Sequence, residues 1–355
     1  MLYCLPLSGD PMKKSTIILT LILVFMQAIS VSYAYSGKTA KVITDFAGRR
    51  VEITGPVRKI VTTFKPATLC VLSLGLAHRL VGVDTSSKRD RLAKAVFPGI
   101  QNISGIGSKT MGINFEALVA LKPDLVILYS QKDGLKLASR LKFLHIPSII
   151  ILPETFDTIK SSLNLIIQAA GGSDRTTTVD KCMDRIISLV QDRVKDIPPE
   201  NRKTGYFASA RGVFSTATGN MLQNEIFAAA GIRNVSEHLK GYFQDISPEQ
   251  LVKWDPDMIV LSRHMKKSAA RPLYAKAFTH LKAVAGKKIY RCPSRLAPWD
   301  FPSPLSVLAS LWLAKKAYPE KFMDISLEDQ VNEYYRAVFG KTMEQMGENL
   351  DDNDI

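Results

Sequence analysis

The chain has 355 residues, 46% of them apolar and 23% charged, with 21 Gly and 18 Pro, a balance that excludes collagen, a coiled coil and wholesale disorder. At about 100 to 200 residues per domain, this length predicts two lobes, each able to bury its own core. Lys and Arg outnumber Asp and Glu by 14, so the surface field favours anionic partners.

Lys13 and Lys14 precede an uncharged apolar run from Ile17 to Met26, and Ser32-Tyr33-Ala34 follows with small residues where a signal peptidase reads them. Residues 1–34 therefore read as a secretory signal peptide cut after Ala34, with Met12 as the true start. The apolar run is shorter than the roughly 18 to 20 residues of a membrane span, so the mature chain is expected to be soluble. Export also argues against DNA or RNA as a partner. Cys4 leaves with the leader, and the remaining Cys70, Cys182 and Cys292 are expected to be buried and unpaired.

Lys41 to Ile53 alternates around Ala47-Gly48 and predicts a hairpin. Short β-branched runs at Lys59–Thr63, Arg79–Val83, Leu125–Tyr129 and Ser148–Leu152 then alternate with helical segments near Pro66–Leu74, Asn114–Leu121 and Asp133–Leu144. This alternation predicts a mainly parallel sheet covered by helices, and it returns at Thr204–Ala208, Met258–Ser262 and Lys287–Arg291. Between the two blocks, Val179, Met183, Ile186, Ile187, Val190 and Val194 mark one side of a helix over Ser173–Asp196, broken off by Gly171-Gly172 before it and Pro198-Pro199 after it. At 1.5 Å per residue that helix would run about 35 Å, the height of a domain.

The segment Ile113–Leu128 aligns without gaps to Ile246–Leu261, with seven of sixteen positions identical and equivalent positions 133 residues apart. Each copy reads as cap, short helix, Pro-Asp turn and buried strand. The expected organisation is a first lobe over 35–171, a connecting helix over 172–197, a second lobe over 198–340 and a disordered tail over 341–355. The fold class is α/β: two Rossmann-like lobes with mainly parallel sheets, one long helix between them and a ligand cleft.

In this layout the chain resembles the periplasmic substrate-binding proteins of ABC importers for ferric siderophores, haem and cobalamin whose lobes are joined by a single long helix. The resemblance rests on Arg58–Thr63 leading to Leu74–Val83, the repeated Glu-to-Pro-Asp segments, Gly219-Asn220 and Trp299–Pro304, and it covers about Lys41 to Gly340. It implies a periplasmic protein that works with a permease and its ATPase, and it implies docking of one acidic residue per lobe on the permease. Those positions fall on Glu116 and Glu249. Both also follow N-caps, Asn114 and Ser247, where the helix dipole alone would favour them.

Chemistry for an enzyme is missing from the pattern. Gly105–Gly112 lacks the Lys-Ser/Thr of a phosphate loop and is expected at a cleft rim; no H-E-x-x-H or G-x-S-x-G occurs, and the five histidines are scattered. No cofactor and no dedicated metal site are expected, whereas a metal inside a chelate suits the charge. A chelatase or oxidoreductase is the competing class.

Ligands of α/β sheets bind beyond the carboxyl ends of the strands, where this chain places Lys65, Tyr129, Arg211, Arg263 and His264. With Tyr242 and Trp299 these are the candidate ligand-binding residues: cations for an anionic group and aromatic rings for a flat one. A ferric siderophore is the leading ligand. Molybdate or tungstate, haem through an axial His or Tyr, and cobalamin are the alternatives.

Overall fold

The computed structural model describes residues 40–108, 112–130, 134–172 and 175–350. The expected signal peptide lies outside them, as do residues 351–355 of the tail.

Strands β1 (Ala40–Thr44) and β2 (Arg50–Thr54) form the hairpin. Asp45 closes its turn, accepting the N–H groups of Ala47 and Arg49 at 3.0 Å, and its other oxygen accepts the Ile150 N–H at 3.0 Å. The first sheet is built from β3 (Ile60–Thr62), β4 (Leu80–Val83), β5 (Ser104–Gly105), β8 (Leu125–Tyr129) and β9 (Ser148–Ile151) in the order β5-β4-β3-β8-β9, with every pair parallel. Every residue of β3 and β9 is buried, as expected of strands covered on both faces, which is why they read as unbroken apolar runs. A small hairpin of β6 (Gly107–Ser108) and β7 (Gly112–Ile113) follows β5.

Helices α1 (Lys65–Ser73), α2 (Thr85–Arg89), α3 (Arg91–Val96), α4 (Phe115–Ala120), α5 (Gly134–Phe143) and α6 (Phe156–Ala170) belong to the first half of the chain. Of these, α2 and α3 have no counterpart in the sequence-based expectation. Two aspartates start them: Asp84 accepts the N–H groups of Ser86 and Ser87 at 3.0 and 3.2 Å, and Asp90 accepts that of Ala93 at 3.0 Å. Such caps are worth about 1 kcal/mol each.

The chain then enters α7 (Arg175–Val194), whose 20 residues span about 30 Å. Val179, Met183, Ile186, Val190 and Val194 are buried along one side, against α12 (Val307–Ala317), α13 (Leu327–Phe339) and α6. Beyond α7 lies the second sheet, of β10 (Thr204–Ala208), β11 (Ser215–Thr216), β12 (Arg233–Asn234), β13 (Gln244–Asp245), β14 (Met258–Leu261) and β15 (Ile289–Arg291). Its order is β13-β11-β10-β14-β15, with β12 beside the start of β10; β10, β14 and β15 are parallel, and β11 turns back antiparallel. Helices α8 (Leu222–Ala229), α9 (Pro248–Trp254), α10 (Lys267–Ala270) and α11 (Lys282–Ala285) complete this half. Both sheets belong to one compact unit, Val42–Ile355, and among the described residues no helix is long and apolar enough to cross a membrane.

The Gly219-Asn220 pair has a structural explanation. A Cβ on Gly219 would stand 2.0 Å from the Glu237 carbonyl oxygen, and the Asn220 side chain accepts the Gly241 N–H at 3.2 Å. The expected disordered tail is corrected over 341–350. Met343 is buried in the main core with Met346 and Leu350 packed on it, and Glu348 pairs with Arg91 at 2.9 Å. The apolar residues that follow Gly340 give the tail something to bury, whatever its acidic end suggests. Cys70 and Cys292 are buried and Cys182 is half-buried, all three free; burial pushes the Cys70 thiol up to about 12.

Candidate functional site

The first wall of the site grows from the ends of β3 and β4. Phe64 is the extended N-cap and Pro66 sits in the first turn, so Lys65 stands at the first residue of α1, just after β3 ends. Its ammonium lies 3.2 Å from Asp90 and 5.6 Å from the centre of the Phe301 ring. Behind it, a buried hydroxyl chain joins α1 to α2: Thr62 and Thr68 share a hydrogen bond of 2.6 Å, and Ser87 donates to Thr68 at 2.9 Å. The caps at Asp84 and Asp90 turn the chain twice within seven residues, which sets Ser86, Arg89 and Arg91 beside Lys65. The glycine-rich loop completes this wall. Thr85 donates to the Gly107 carbonyl at 2.9 Å, and Gly107, Ser108 and Gly112 face the cleft, the rim position expected from the sequence.

The opposite wall follows β14. Ser262 continues that strand, donating its N–H to the Ala208 carbonyl at 2.8 Å, and the next two residues, Arg263 and His264, face the cleft. Asp300 holds this loop from within: it is buried, and one carboxylate oxygen accepts the Arg263 N–H at 3.2 Å. Arg291 fixes the loop from its other side through the carbonyls of Ser262 and Met265, at 3.2 and 2.7 Å. The segment after β15 then crosses to the first wall, where Leu92 donates its N–H to the Leu296 carbonyl at 3.0 Å and brings Arg295 next to α3.

Between the walls is a cleft of about 870 Å³. Lys65, Arg89, Arg91, Arg263, Arg295 and His264 line it; Asp90 is the one carboxylate, and no Phe, Tyr or Trp occurs, among its described lining residues. Asp90 is already committed to Lys65 and to the α3 cap, so the field in the cleft is positive. Partial desolvation holds the His264 imidazole below the ordinary histidine range; Asp300 and Asp90 oppose this, while Lys65 and Arg263 reinforce it. Burial pushes the Asp300 carboxyl up, against the Ser262 hydroxyl, His264 and the Arg263 N–H. Its second oxygen has no hydrogen-bond partner among the described residues. Chemically, this arrangement suits a ligand with several anionic oxygens, each able to take a charge-assisted hydrogen bond.

The structure brings together three of the seven expected ligand-binding residues, Lys65, Arg263 and His264. The other four lie elsewhere. Arg211 is corrected: β11 folds back beside β10, and the guanidinium is used by Ser215, the Phe243 carbonyl and Asp245, each at 2.9 Å. Trp299 is corrected too, since it is wholly buried and its indole N–H points at the Tyr335 hydroxyl 3.3 Å away. Tyr129 stacks on Phe64 with ring centres 4.5 Å apart and donates to Glu154, so its face is covered. Tyr242 is exposed and outside the cleft lining; desolvation and the Glu154 charge raise its phenol. Arg89, Arg91 and Ser86 escaped the sequence reading, although Asp84 and Asp90, each ahead of a short helix, were the available signal.

Glu116 and Glu249 are both exposed in the first turns of α4 and α9. Asn114 and Ser247 cap these helices, accepting the N–H groups of Ala117 at 2.9 Å and Gln250 at 3.2 Å. Its own backbone N–H and the Ser247 hydroxyl hold the Glu249 carboxyl below the usual range.

Comparison with known proteins agrees with this architecture. Across 337 residues the chain is 24% identical to the molybdate-binding protein MolA of Haemophilus influenzae, covering 87% of this chain and 93% of MolA. The structure of MolA bound to molybdate superposes with a TM-score of 0.75 at 23% identity, over 85% of this chain and 98% of that one. Helicobacter pylori CeuE in its nickel-histidine complex gives 0.75 at 22%, over 87% and 98%. Residues 60–296, which carry both sheets and both walls of the cleft, match the periplasmic binding protein family, and the chain belongs to that family.

Proposed function

We propose that this chain is the periplasmic solute-binding component of an ABC importer, and that its cleft captures a compact oxyanion of the molybdate or tungstate class for delivery to the permease and its ATPase. The observation that carries the reading is the lining: five Lys and Arg side chains from two walls, with no Phe, Tyr or Trp among the described lining residues. A tetrahedral dianion needs several donors converging on it and no stacking surface, whereas haem and cobalamin present wide flat rings. MolA, similar over nearly its whole length, is named for molybdate. The ferric siderophore expected from the sequence is the second reading, favoured by the cleft volume of about 870 Å³, which leaves room for an anionic chelate. Calorimetric titration with molybdate, tungstate, sulfate, ferric siderophores, haemin and cyanocobalamin decides. Molybdate and tungstate are expected to bind, and tight binding of a chelate with no response to either oxyanion would overturn the first reading.

The charge of His264 gives a pH signature. Its imidazole titrates below the ordinary histidine range and is neutral at neutral pH, while a bound dianion stabilises the imidazolium. Affinity is therefore expected to rise as pH falls through that range, with proton uptake on binding. His264→Gln flattens the profile. A wild-type profile already flat from mildly alkaline to mildly acidic pH would remove His264 from the site.

Export would follow from the leader over 1–34, and docking from Glu116 and Glu249, one on each lobe. The double variant Glu116→Gln, Glu249→Gln keeps both N-caps and gives up only the interaction of each charge with its helix dipole. Ligand affinity should stay as in wild type while uptake by cells is lost; unchanged uptake would leave the two carboxylates as helix-capping charges alone.

A further inference from the structure

From Met258 to Trp299 the chain runs 42 residues without one Asp or Glu and with ten Lys and Arg. Arg263 and Arg295 face the cleft and Arg291 is used inside the lobe. The others lie on the crossover between β14 and β15, which covers one face of the second sheet. Ala270, Leu273, Phe278 and Leu281 point inward and join one apolar cluster with Ile259, Leu261 and Ile289. The period that buries these residues leaves Lys266, Lys267, Arg271, Lys276, Lys287 and Lys288 exposed on the outer side. Tyr274 stands among them, 58% exposed. Asp255, at the end of α9, is engaged by Lys282 at 3.4 Å.

We propose that the outer face of this crossover is a membrane-association surface that lies on anionic phospholipid headgroups. Two observations select this partner. First, the face combines a dense single-sign charge with an exposed tyrosine, the composition that headgroups attract: cations to the phosphates, and an amphipathic ring at the boundary of the acyl region. Second, the face is continuous with α9. Leu251 of that helix sits in the same apolar cluster, and Asp255 at its end accepts the Lys282 N–H at 2.8 Å. A protein seated on a permease through Glu249 thereby carries the basic face beside the surrounding lipid. The inference rests on the importer reading for its purpose, and the lipid contact is measurable without it. Attraction to the bilayer would hold the empty or loaded protein near the permease and shorten its search.

The test is flotation of the purified protein with phosphatidylcholine vesicles, with and without phosphatidylglycerol. Binding is expected only with phosphatidylglycerol, with release as salt shortens the screening length. The variant Lys266→Glu, Lys267→Glu, Arg271→Glu should lose about a hundred-fold in partitioning. A control with the same change in net charge, Lys136→Glu, Lys142→Glu, Lys181→Glu, should lose no more than a few-fold, while Tyr274→Ser, which removes the ring at no change in charge, should lose several-fold. Gln in place of Glu at 266, 267 and 271 gives a milder version should the reversal unfold the lobe. Equal losses in the two triple variants, binding indifferent to phosphatidylglycerol, or binding only when a permease is present would each overturn the proposal. Molybdate titration of the same samples keeps the two readings apart: wild type that floats on phosphatidylglycerol without binding any oxyanion upholds this surface and rejects the ligand.

Discussion

Replacing Lys65 or Arg263 with Met should each weaken oxyanion binding by about ten- to a hundred-fold, the equivalent of about 1.5 to 3 kcal/mol for a lost charge-assisted hydrogen bond. The two residues stand on opposite walls, so both effects in one molecule would also show that the walls close on a single ligand. Their consequences for the fold differ. Lys65 partners Asp90, whose side chain is 3% exposed, and its loss takes the ammonium from a buried carboxylate whose other oxygen accepts the Ala93 N–H. Lys65→Met should therefore also lower the melting temperature. In Arg263 the contact to Asp300 is made by the backbone N–H, which substitution keeps, so Arg263→Met retains that anchor of the loop. Affinity measured by calorimetry and stability by thermal unfolding separate the two. Wild-type affinity in both variants would mean that the positive field belongs to the cleft walls without serving the ligand.

Trp299→Ala is expected to be the most destabilising single change, at about 3 to 5 kcal/mol for a buried Trp emptied to Ala. The ring is fully buried in the main core, and its removal also takes the indole N–H away from the buried Tyr335 hydroxyl. Denaturant unfolding should show the loss as a shifted midpoint at unchanged slope. Trp299→Phe, which keeps most of the apolar volume and gives up the hydrogen bond, should cost well under half as much. If Trp299 instead stacked on a ligand, as the sequence-based expectation has it, the Ala variant would lose affinity at near-normal stability, the opposite pattern.

The first hairpin, the parallel core strands β3, β4, β8, β9, β10, β14 and β15, the long α7 and the paired helix starts at Asn114 and Ser247 were legible in the sequence. They depend on local physics: β-branched runs between breakers, apolar residues at helical spacing, and caps directly ahead of them. The positions of Glu116 and Glu249 were legible for the same reason. Which strand-end residues face the cleft was decided by tertiary structure. Arg211 and Arg263 both follow strands of the second sheet and look alike in sequence. The chain after β10 reverses into β11 and hands Arg211 to Asp245, whereas the chain after β14 is held by the distant Asp300 so that Arg263 faces the first lobe. Trp299 carries no mark of its burial, because the partner of its indole N–H, Tyr335, comes from a helix more than thirty positions later. Arg89 and Arg91 reach the cleft only because two aspartate caps, six residues apart, turn the chain there. Periodicity records how a segment packs on its own neighbours; the direction of one long, charged side chain depends on partners that the fold brings from far along the chain.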